Sequence, residues 1–275
     1  MQQNSPHNPL TGKDNATIRR LRSLQQHKFR KKEKTFLIEG VKMVEEALRD
    51  DAGVTMVVAA PSLVQHHGRG LIKLAERRQV DIVWIAENLM QSVSESITPQ
   101  PVLAVVRMRN HLEESLLGGA AGLIVVAYQL QDPGNLGTII RTVEAAGASG
   151  LAVTPNTVDP YNAKTIRASM GSILRVPVVL VQDMAGFVQS CRRKGFQTAA
   201  TVLAGGRTHF ETDLRKPTVV IVGQEGAGLP KDMMADIDLH IRIPMTETID
   251  SLNVATAAAV ILYEAVRQRS HADTQ

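Results

Sequence analysis

The chain has very little cysteine and few aromatic side chains. Its 275 residues contain one cysteine, Cys191, together with one Trp, three Tyr and five Phe. A single cysteine excludes an intrachain disulfide framework and a cysteine-based zinc site, and a reducing, cytoplasmic setting is expected. The scarcity of aromatics argues against binding single-stranded nucleic acid on a platform of stacked bases.

Long apolar segments are missing as well. The apolar runs are short pieces such as residues 123–127 and 219–222, whereas a membrane helix needs about 18 apolar residues. The first fifteen residues contain no apolar core of a secretory leader, so none is expected. With 44% apolar and 21% charged residues, the composition is that of an ordinary globular protein of one or two domains.

Positive charge is concentrated near the N-terminus. Residues 1–35 carry nine Lys or Arg against two acidic residues, and the remaining 240 residues hold 22 basic and 25 acidic groups. A basic segment on a near-neutral body indicates either a polyanionic partner, most simply nucleic acid, or a solvated helix. With few aromatics, contacts to phosphates and to RNA shape are favoured. The candidate RNA-binding residues are Arg19, Arg20, Arg22, Lys28, Arg30, Lys31 and Lys32.

Alternating strands and helices predict two α/β domains. The predicted segments are a basic N-terminal arm (1–35), a small α/β domain (36–107), a linker (108–121), a second α/β domain (122–268) and a polar tail (269–275). Apolar spacing predicts one helix over residues 17–34 and a long, Ala-rich helix over residues 252–267.

The first of three chemically suggestive loops is QDPGNLGTIIRTVEAAG (131–147). It follows a predicted strand, and ligands of open α/β sheets bind at the carboxyl ends of strands. Asn135 is a candidate cap for the next helix. Arg141 has apolar neighbours and is expected to be partly buried, where it needs either an anionic ligand or a structural carboxylate.

The second loop, VGQEGAGLP (222–230), carries three glycines after a buried strand. Its G-x-x-G-x-G spacing differs from the dinucleotide fingerprint, and Glu225 would repel phosphates. The loop is therefore either a tight structural turn or a site for a neutral or cationic group.

The third loop leads into the last helix. Ser251 is expected to cap this helix, and Asn253 adds a polar side chain beside the free N–H groups of the first turn. Ser251 alone indicates ordinary capping. As a set, however, Asn135, Arg141, Glu225, Ser251 and Asn253 all fall at strand-to-helix junctions, and such junctions can share one edge of a sheet.

Together the three loops resemble the SpoU family of RNA ribose 2′-O-methyltransferases, within the SPOUT class. The matching motifs are NLGTIIR (135–141), VGQEGAGL (222–229) and IPMTETIDSLNVATAAAVILYEA (243–265), in family order. The segment 36–107 is similar to the L30e-like substrate-binding domain that often precedes this domain. The resemblance implies an α/β fold with a deep trefoil knot, and a homodimer whose active sites use both subunits.

The resemblance also implies S-adenosylmethionine as the cofactor, bound in the knot and lined by main-chain groups of Gly223, Ile243 and Leu252. The cofactor-binding residues implied by position are Val222, Gly223, Gly228, Ile243, Pro244, Met245, Ser251, Leu252 and Asn253. No metal is implied, because the sulfonium is already a good leaving group.

The implied reaction is in-line attack of a ribose 2′-OH on the cofactor's methyl group. Arg141 matches the family's proposed base, but an arginine pKa above about 12 leaves open whether it accepts the proton or holds the adjacent phosphate. The resemblance assigns Asn135 to orienting Arg141 or the ribose, and Glu225 to pairing with a cation such as Arg141. Ser251 and Asn253 would position substrate and cofactor.

The implied substrate is large-subunit ribosomal RNA, because the L30e-like domain favours rRNA over tRNA by analogy. A tRNA ribose methyltransferase and a non-catalytic RNA-binding assembly factor are the alternatives, and a nucleotide-dependent dehydrogenase rests on the glycine loop alone. A chain beginning near Phe36 is expected to bind the cofactor but to lose RNA affinity.

Overall fold

The computed structural model describes residues 4–65, 68–118, 122–225 and 228–272. The predicted arm, linker, glycine loop and tail therefore each include residues outside the described ones, namely 1–3, 119–121, 226–227 and 273–275. The chain divides into two compact units: unit 1 is residues 1–109 and 161–166, and unit 2 is residues 110–160 and 167–275. Among the described residues, no helix combines the length and hydrophobicity that a membrane span requires.

Unit 1 contains a four-stranded sheet with helices packed on it. Its elements are α1 (Ala16–Ser23), α2 (His27–Glu33), β1 (Thr35–Glu39), α3 (Val41–Arg49), β2 (Val54–Ala59), α4 (Arg69–Arg77), β3 (Ile82–Trp84), α5 (Glu87–Val93) and β4 (Val102–Arg107). The strand order is β1-β4-β2-β3, with β4 antiparallel to β1 and β2, and β2 parallel to β3.

The basic N-terminal residues fold into unit 1. The single helix predicted over 17–34 is two helices, α1 and α2, separated by residues 24–26. Ile18, Leu21 and Leu24 are at most 1% exposed, in one apolar cluster with residues of α5 and the sheet. The side chain of Asn4 pairs with the main chain of Trp84, accepting from its N–H at 3.1 Å and donating to its carbonyl. These residues thus contribute to the core and to the covered edge of β3.

Unit 2 contains a seven-stranded sheet flanked by helices. Its elements are α6 (Glu113–Leu117), β5 (Leu123–Ala127), α7 (Pro133–Ala145), β6 (Gly150–Val153), α8 (Ala163–Ser169, whose first four residues belong to unit 1), β7 (Val178–Leu180), α9 (Met184–Arg193), β8 (Gln197–Val202), β9 (Arg207–Thr208), β10 (Thr218–Val222), α10 (Lys231–Ala235), β11 (Leu239–Arg242) and α11 (Val254–Ala272). The strand order is β7-β6-β5-β10-β8-β11-β9, and neighbouring strands are parallel. The predicted mixed α/β class is confirmed.

The centre of this sheet is apolar on both faces, as expected for parallel strands covered by helices. Every residue of β5 and β10 is buried. The helices α7 and α11 pack against each other, and the small side chains of Ala255, Ala258 and Ala265 in α11 are buried. Because parallel strands end at the same edge, the loops after β5, β8, β10 and β11 meet there.

Candidate functional site

A cavity of about 290 Å³ lies in unit 2, at the carboxyl ends of β8, β10 and β11 and at the start of α11. Its lining comes from four separate chain segments. The lining residues are Thr201, Val202, Leu203, Gly223, Gln224, Glu225, Gly228, Ile241, Ile243, Met245, Ser251, Leu252, Asn253, Val254, Ala257 and Ile261.

The lining is mainly apolar and carries a single charge. Glu225 is the charged residue among the described lining residues, and Lys and Arg are missing from that set. A phosphate-rich dinucleotide needs donors or positive charge that these side chains do not supply. The cavity therefore suits a partly apolar ligand that is neutral or positively charged, and it counts against the dehydrogenase alternative.

The glycine loop is both a tight turn and a wall of the cavity. A Cβ atom added to Gly223 would lie 2.6 Å from the carbonyl carbon of Gly228, and Gly228 has a φ of +68°. The N–H of Gly228 donates to the carbonyl of Gln224 at 2.9 Å. A side chain at Gly223 would open this turn, so the main chain itself forms that part of the wall.

Three predicted site residues form a side-chain relay. The Nδ2 of Asn135 donates to Oε1 of Glu225 at 2.9 Å, and Oδ1 of Asn135 accepts from Nδ2 of Asn253 at 2.8 Å. These contacts join residues that are 90 and 118 positions apart. Since a carboxylate can only accept, Glu225 fixes the orientation of the Asn135 amide, and Asn135 in turn fixes that of Asn253.

The helix caps differ from the prediction. Asp132 caps α7, accepting from the N–H of Asn135 at 2.7 Å, so Asn135 is not the cap and its side chain is available for the relay. At the start of α11, Oδ1 of Asn253 accepts from the N–H groups of Ala255 and Thr256 at 2.9 and 3.3 Å. Asn253 is therefore the cap in place of Ser251, which is exposed at the cavity.

Arg141 is exposed, so the expectation that it is partly buried was wrong. Leu136, Ile139, Ile140 and Val143 occupy the buried side of α7, which leaves Arg141 on the opposite side. It makes no hydrogen bond or ion pair with a described residue of this chain, and Glu225 is engaged by Asn135 instead. Within one chain, Arg141 is thus not hydrogen-bonded to the relay residues.

Most of the expected cofactor residues line the cavity. These are Gly223, Gly228, Ile243, Met245, Ser251, Leu252 and Asn253. Val222 is buried within β10, and Pro244 is not among the lining residues. Sequence reasoning missed Thr201, Val202 and Leu203 at the end of β8, because nothing in the sequence indicates that β8 lies between β10 and β11.

The seven candidate RNA-binding residues of unit 1 are not equivalent. Arg30 is 4% exposed, and its Nη1 donates to the carbonyls of Leu24 and Gln25 at 2.9 and 2.6 Å, so its role is structural and not RNA binding. Arg20 pairs with Glu33 at 2.8 Å. The exposed members of the set are Arg19, Lys28, Lys31 and Lys32.

The sequence matches two family models. Residues 122–263 match the SpoU rRNA Methylase family, and residues 15–104 match the MRM3-like substrate binding domain. Among curated proteins, the chain is 34% identical over 249 residues to the 23S rRNA (guanosine(2553)-2′-O)-methyltransferase RlmP of Bacillus subtilis, covering 90% of this chain and 95% of that protein.

Two solved structures are similar over nearly the whole chain. An rRNA methyltransferase from Sinorhizobium meliloti with AdoMet bound has a TM-score of 0.82 at 32% identity, covering 94% of this chain and 97% of the other. The SpoU methyltransferase AviRb from Streptomyces viridochromogenes, in complex with AdoMet, has a TM-score of 0.81 at 30% identity, covering 93% and 98%. The resemblance found in the three loops is confirmed, and this chain belongs to the SpoU rRNA methylase family.

Proposed function

We propose that this chain is an S-adenosylmethionine-dependent methyltransferase that methylates a ribose 2′-OH in large-subunit ribosomal RNA, in the cytoplasm. The observation that carries the proposal is the convergence of the three family motifs, through Asn135, Glu225 and Asn253, on the edge of one cavity. Relatives that align with most of this chain are named 23S rRNA 2′-O-methyltransferases, which favours ribosomal over transfer RNA.

The residues of the cavity fit the cofactor. Main-chain groups at Gly223, Ile243 and Leu252 would hold its polar edges, and the apolar side chains of Leu203 and Ile261 suit an adenine ring. Glu225 gives the lining a negative charge, which matches a cationic ligand. When bound, S-adenosylmethionine supplies an activated methyl group.

The relay orients the groups that meet the substrate. Each of the two amides, Asn135 and Asn253, uses one N–H in the relay and keeps a second for an oxygen of the ribose. Because the relay restricts both side chains before the substrate binds, little entropy is lost in aligning the 2′-OH for in-line attack. Ser251, which is exposed at the cavity, is assigned to contacting the cofactor.

Arg141 is assigned to the second subunit's site. It is exposed on α7, which packs on α11, and Tyr263 of α11 is 50% exposed. A homodimer formed through these helices would cover both residues and bring Arg141 of each protomer to the relay of the other. There its fixed charge and planar fork suit holding the phosphate next to the target ribose.

Unit 1 is assigned to RNA capture. Its exposed basic residues on α1 and α2, and its match to a substrate-binding domain, support this assignment. In this assignment residues 36–107 and the helices of the 1–35 segment hold RNA, residues 122–268 carry methyl transfer, 108–121 connects the two and 269–275 is a tail.

The reaction is tested by binding and transfer. Calorimetry should detect S-adenosylmethionine binding, and tritiated methyl groups should enter 23S-type rRNA at a ribose. Labelling of tRNA instead would favour the tRNA alternative, and binding without any transfer would favour the assembly factor. Ribose-methylation mapping of RNA from a deletion strain would identify the nucleotide.

The shared active site is tested by mixing subunits. Arg141→Ala and Asn135→Ala are each expected to be inactive, but random mixed dimers contain one site with both residues intact. Activity should return to about a quarter of the wild-type rate. No recovery in proven mixed dimers would contradict the assignment of Arg141 to the partner's site.

A further inference from the structure

Gln131 joins the two loops that follow β5 and β6. Its Nε2 donates to the carbonyl of Gln129 at 2.8 Å and to the carbonyl of Asn156 at 2.6 Å. The neighbouring Thr154 adds a parallel tie, because its hydroxyl oxygen accepts from the N–H of Gln129 at 3.0 Å. One side-chain amide therefore connects the carboxyl ends of two adjacent strands.

Both residues whose carbonyls accept from Gln131 have left-handed backbones. The φ angle is 53° at Gln129 and 66° at Asn156. Side-chain-bearing residues seldom adopt this region, and they keep it only where surrounding contacts hold them. The amide of Gln131 contacts both carbonyls and is well placed to supply that restraint.

The same residue contacts the relay through its main chain. The N–H of Gln131 points to Oε2 of Glu225 at 3.4 Å, while Asn135 donates to Oε1 of the same carboxylate. Glu225 is therefore restrained on one oxygen by a side chain of α7 and on the other by the loop that Gln131 fixes. Gln131 itself is not among the residues that line the cavity.

We propose that Gln131 is a positioning residue for methyl transfer, which fixes the β5 and β6 loops so that Glu225 and Asn135 are correctly oriented. This inference rests on the proposed function, because it takes the relay to be part of the active site. It assigns Gln131 no contact with the substrate. Its effect is expected on turnover more than on cofactor binding, because Gln131 lies outside the cavity lining and its loss leaves the charge of Glu225 in place.

The test compares Gln131→Ala and Gln131→Glu with the wild type. The alanine variant removes both donor contacts, and the glutamate variant keeps the size but turns a carboxylate toward two carbonyl oxygens. We expect kcat to fall on the order of 10- to 100-fold, with the larger loss for glutamate. The calorimetric Kd for S-adenosylmethionine should stay within about threefold, and the melting temperature should change little because Gln131 is exposed.

Gln189→Ala is the matched control, because Gln189 is an exposed glutamine of α9 in the same unit. It should keep wild-type kcat and Kd. Wild-type turnover in Gln131→Ala would overturn the inference, as would a parallel loss of cofactor affinity, which would indicate a general structural role. Failure of the wild-type protein to bind cofactor or transfer methyl groups would instead overturn the proposed function.

Discussion

Arg141 is the side chain that the proposed homodimer would place in the partner's active site. It is exposed and has no bound group among the described residues of its own chain, so its removal should not affect folding. We predict that Arg141→Ala abolishes methyl transfer while the Kd for S-adenosylmethionine stays within a few fold. Arg141→Lys should also fail, because an ammonium lacks the planar fork that holds phosphate.

The measurements are calorimetry and tritium transfer to rRNA. Arg193→Ala is a suitable control, since Arg193 is an exposed arginine on α9. Full activity of Arg141→Ala would show that Arg141 is not an active-site residue, either in its own subunit or in the partner's site.

Cys191 is predicted to be chemically inert in the folded protein. Its thiol is fully buried, and burial raises its pKa to about 12, with the charge of Glu113 adding to the effect. Because the thiolate is the reactive form, an alkylating reagent at pH 8 should leave native protein unmodified. The same reagent should modify one thiol per chain in urea. Rapid labelling of the native protein would contradict the buried position of Cys191.

At the residue scale, sequence reasoning placed the three relay residues at one edge of the sheet but predicted neither their pairing, since Glu225 was expected to pair with a cation such as Arg141, nor their support by Gln131. Asn135, Glu225 and Asn253 stand in recognisable motifs, so their meeting at one edge could be predicted. The role of Gln131 could not be predicted, because it depends on a hydrogen bond to the carbonyl of Asn156, a residue 25 positions away whose backbone is left-handed. The exposure of Arg141 was missed for a related reason: apolar neighbours in sequence lie on a different side of the helix from Arg141 itself.

At the scale of elements, strands were predicted better than helix ends. Strand β10, for example, falls within one residue of its apolar run, because burial on both faces leaves a continuous β-branched segment. Helix boundaries depend on caps. Because Asn253 is the cap, α11 begins at Val254 and not at the predicted residue 252. The break between α1 and α2 contains no Gly or Pro, so the sequence does not indicate it.

The last helix is predicted to make stability depend on acid. Glu264 of α11 is 10% exposed, and its pKa is lowered to about 2, chiefly by hydrogen bonds from Arg267. The pKa of a glutamate in an unfolded chain is about 4.3. Since the folded pKa is the lower one, this carboxylate stabilises the protein above about pH 4.3, and that contribution is lost as the pH falls toward 2.

Urea unfolding over this pH range checks the prediction. Glu264→Gln should lower the free energy of unfolding at pH 7 and should flatten its decline between about pH 4.3 and 2. Glu247→Gln, at an exposed glutamate of the same unit, is the control and should follow the wild type. An unchanged pH profile in Glu264→Gln would show that the ion pair contributes nothing.

For the whole molecule, the fold of unit 1 changes how RNA capture must be tested. A chain beginning near Phe36 was expected to lose RNA affinity alone, but it would also lose Ile18, Leu21 and Leu24 from the core. Because these apolar side chains are buried, truncation should destabilise unit 1. Replacing exposed basic residues tests RNA capture better than truncation does, because it leaves the core of unit 1 intact.

We predict that replacing Lys28, Lys31 and Lys32 together with Ala weakens RNA binding. If each contacts a phosphate, the slope of log Kd against log salt should fall by about 2, while cofactor binding is unaffected. The control is Lys73, Lys194 and Lys216 replaced together, because these lysines are exposed elsewhere. Equal salt slopes for the two triple variants would indicate that α2 is merely solvated.

The arrangement of strands was beyond sequence reasoning. Hydropathy identifies β5, β8, β10 and β11 as strands, but does not encode that β10 lies between β5 and β8. The trefoil knot implied by the family resemblance stays a prediction for the same reason, since it depends on the path of the chain and not on local pattern. Order in the sheet is decided by long-range packing.

That strand order also delays the pairing of β5 with β10 during synthesis of the chain. The strand β5 begins at Leu123 and its central partner β10 at Thr218, so at about 5–20 residues per second a ribosome needs roughly 5–20 s to supply the second strand after the first. During that interval one edge of an entirely apolar strand is unpaired, and parallel pairing across such a distance is intrinsically slow. Newly synthesised chains should therefore depend on chaperones, or on slow growth at low temperature, far more than the finished enzyme depends on either.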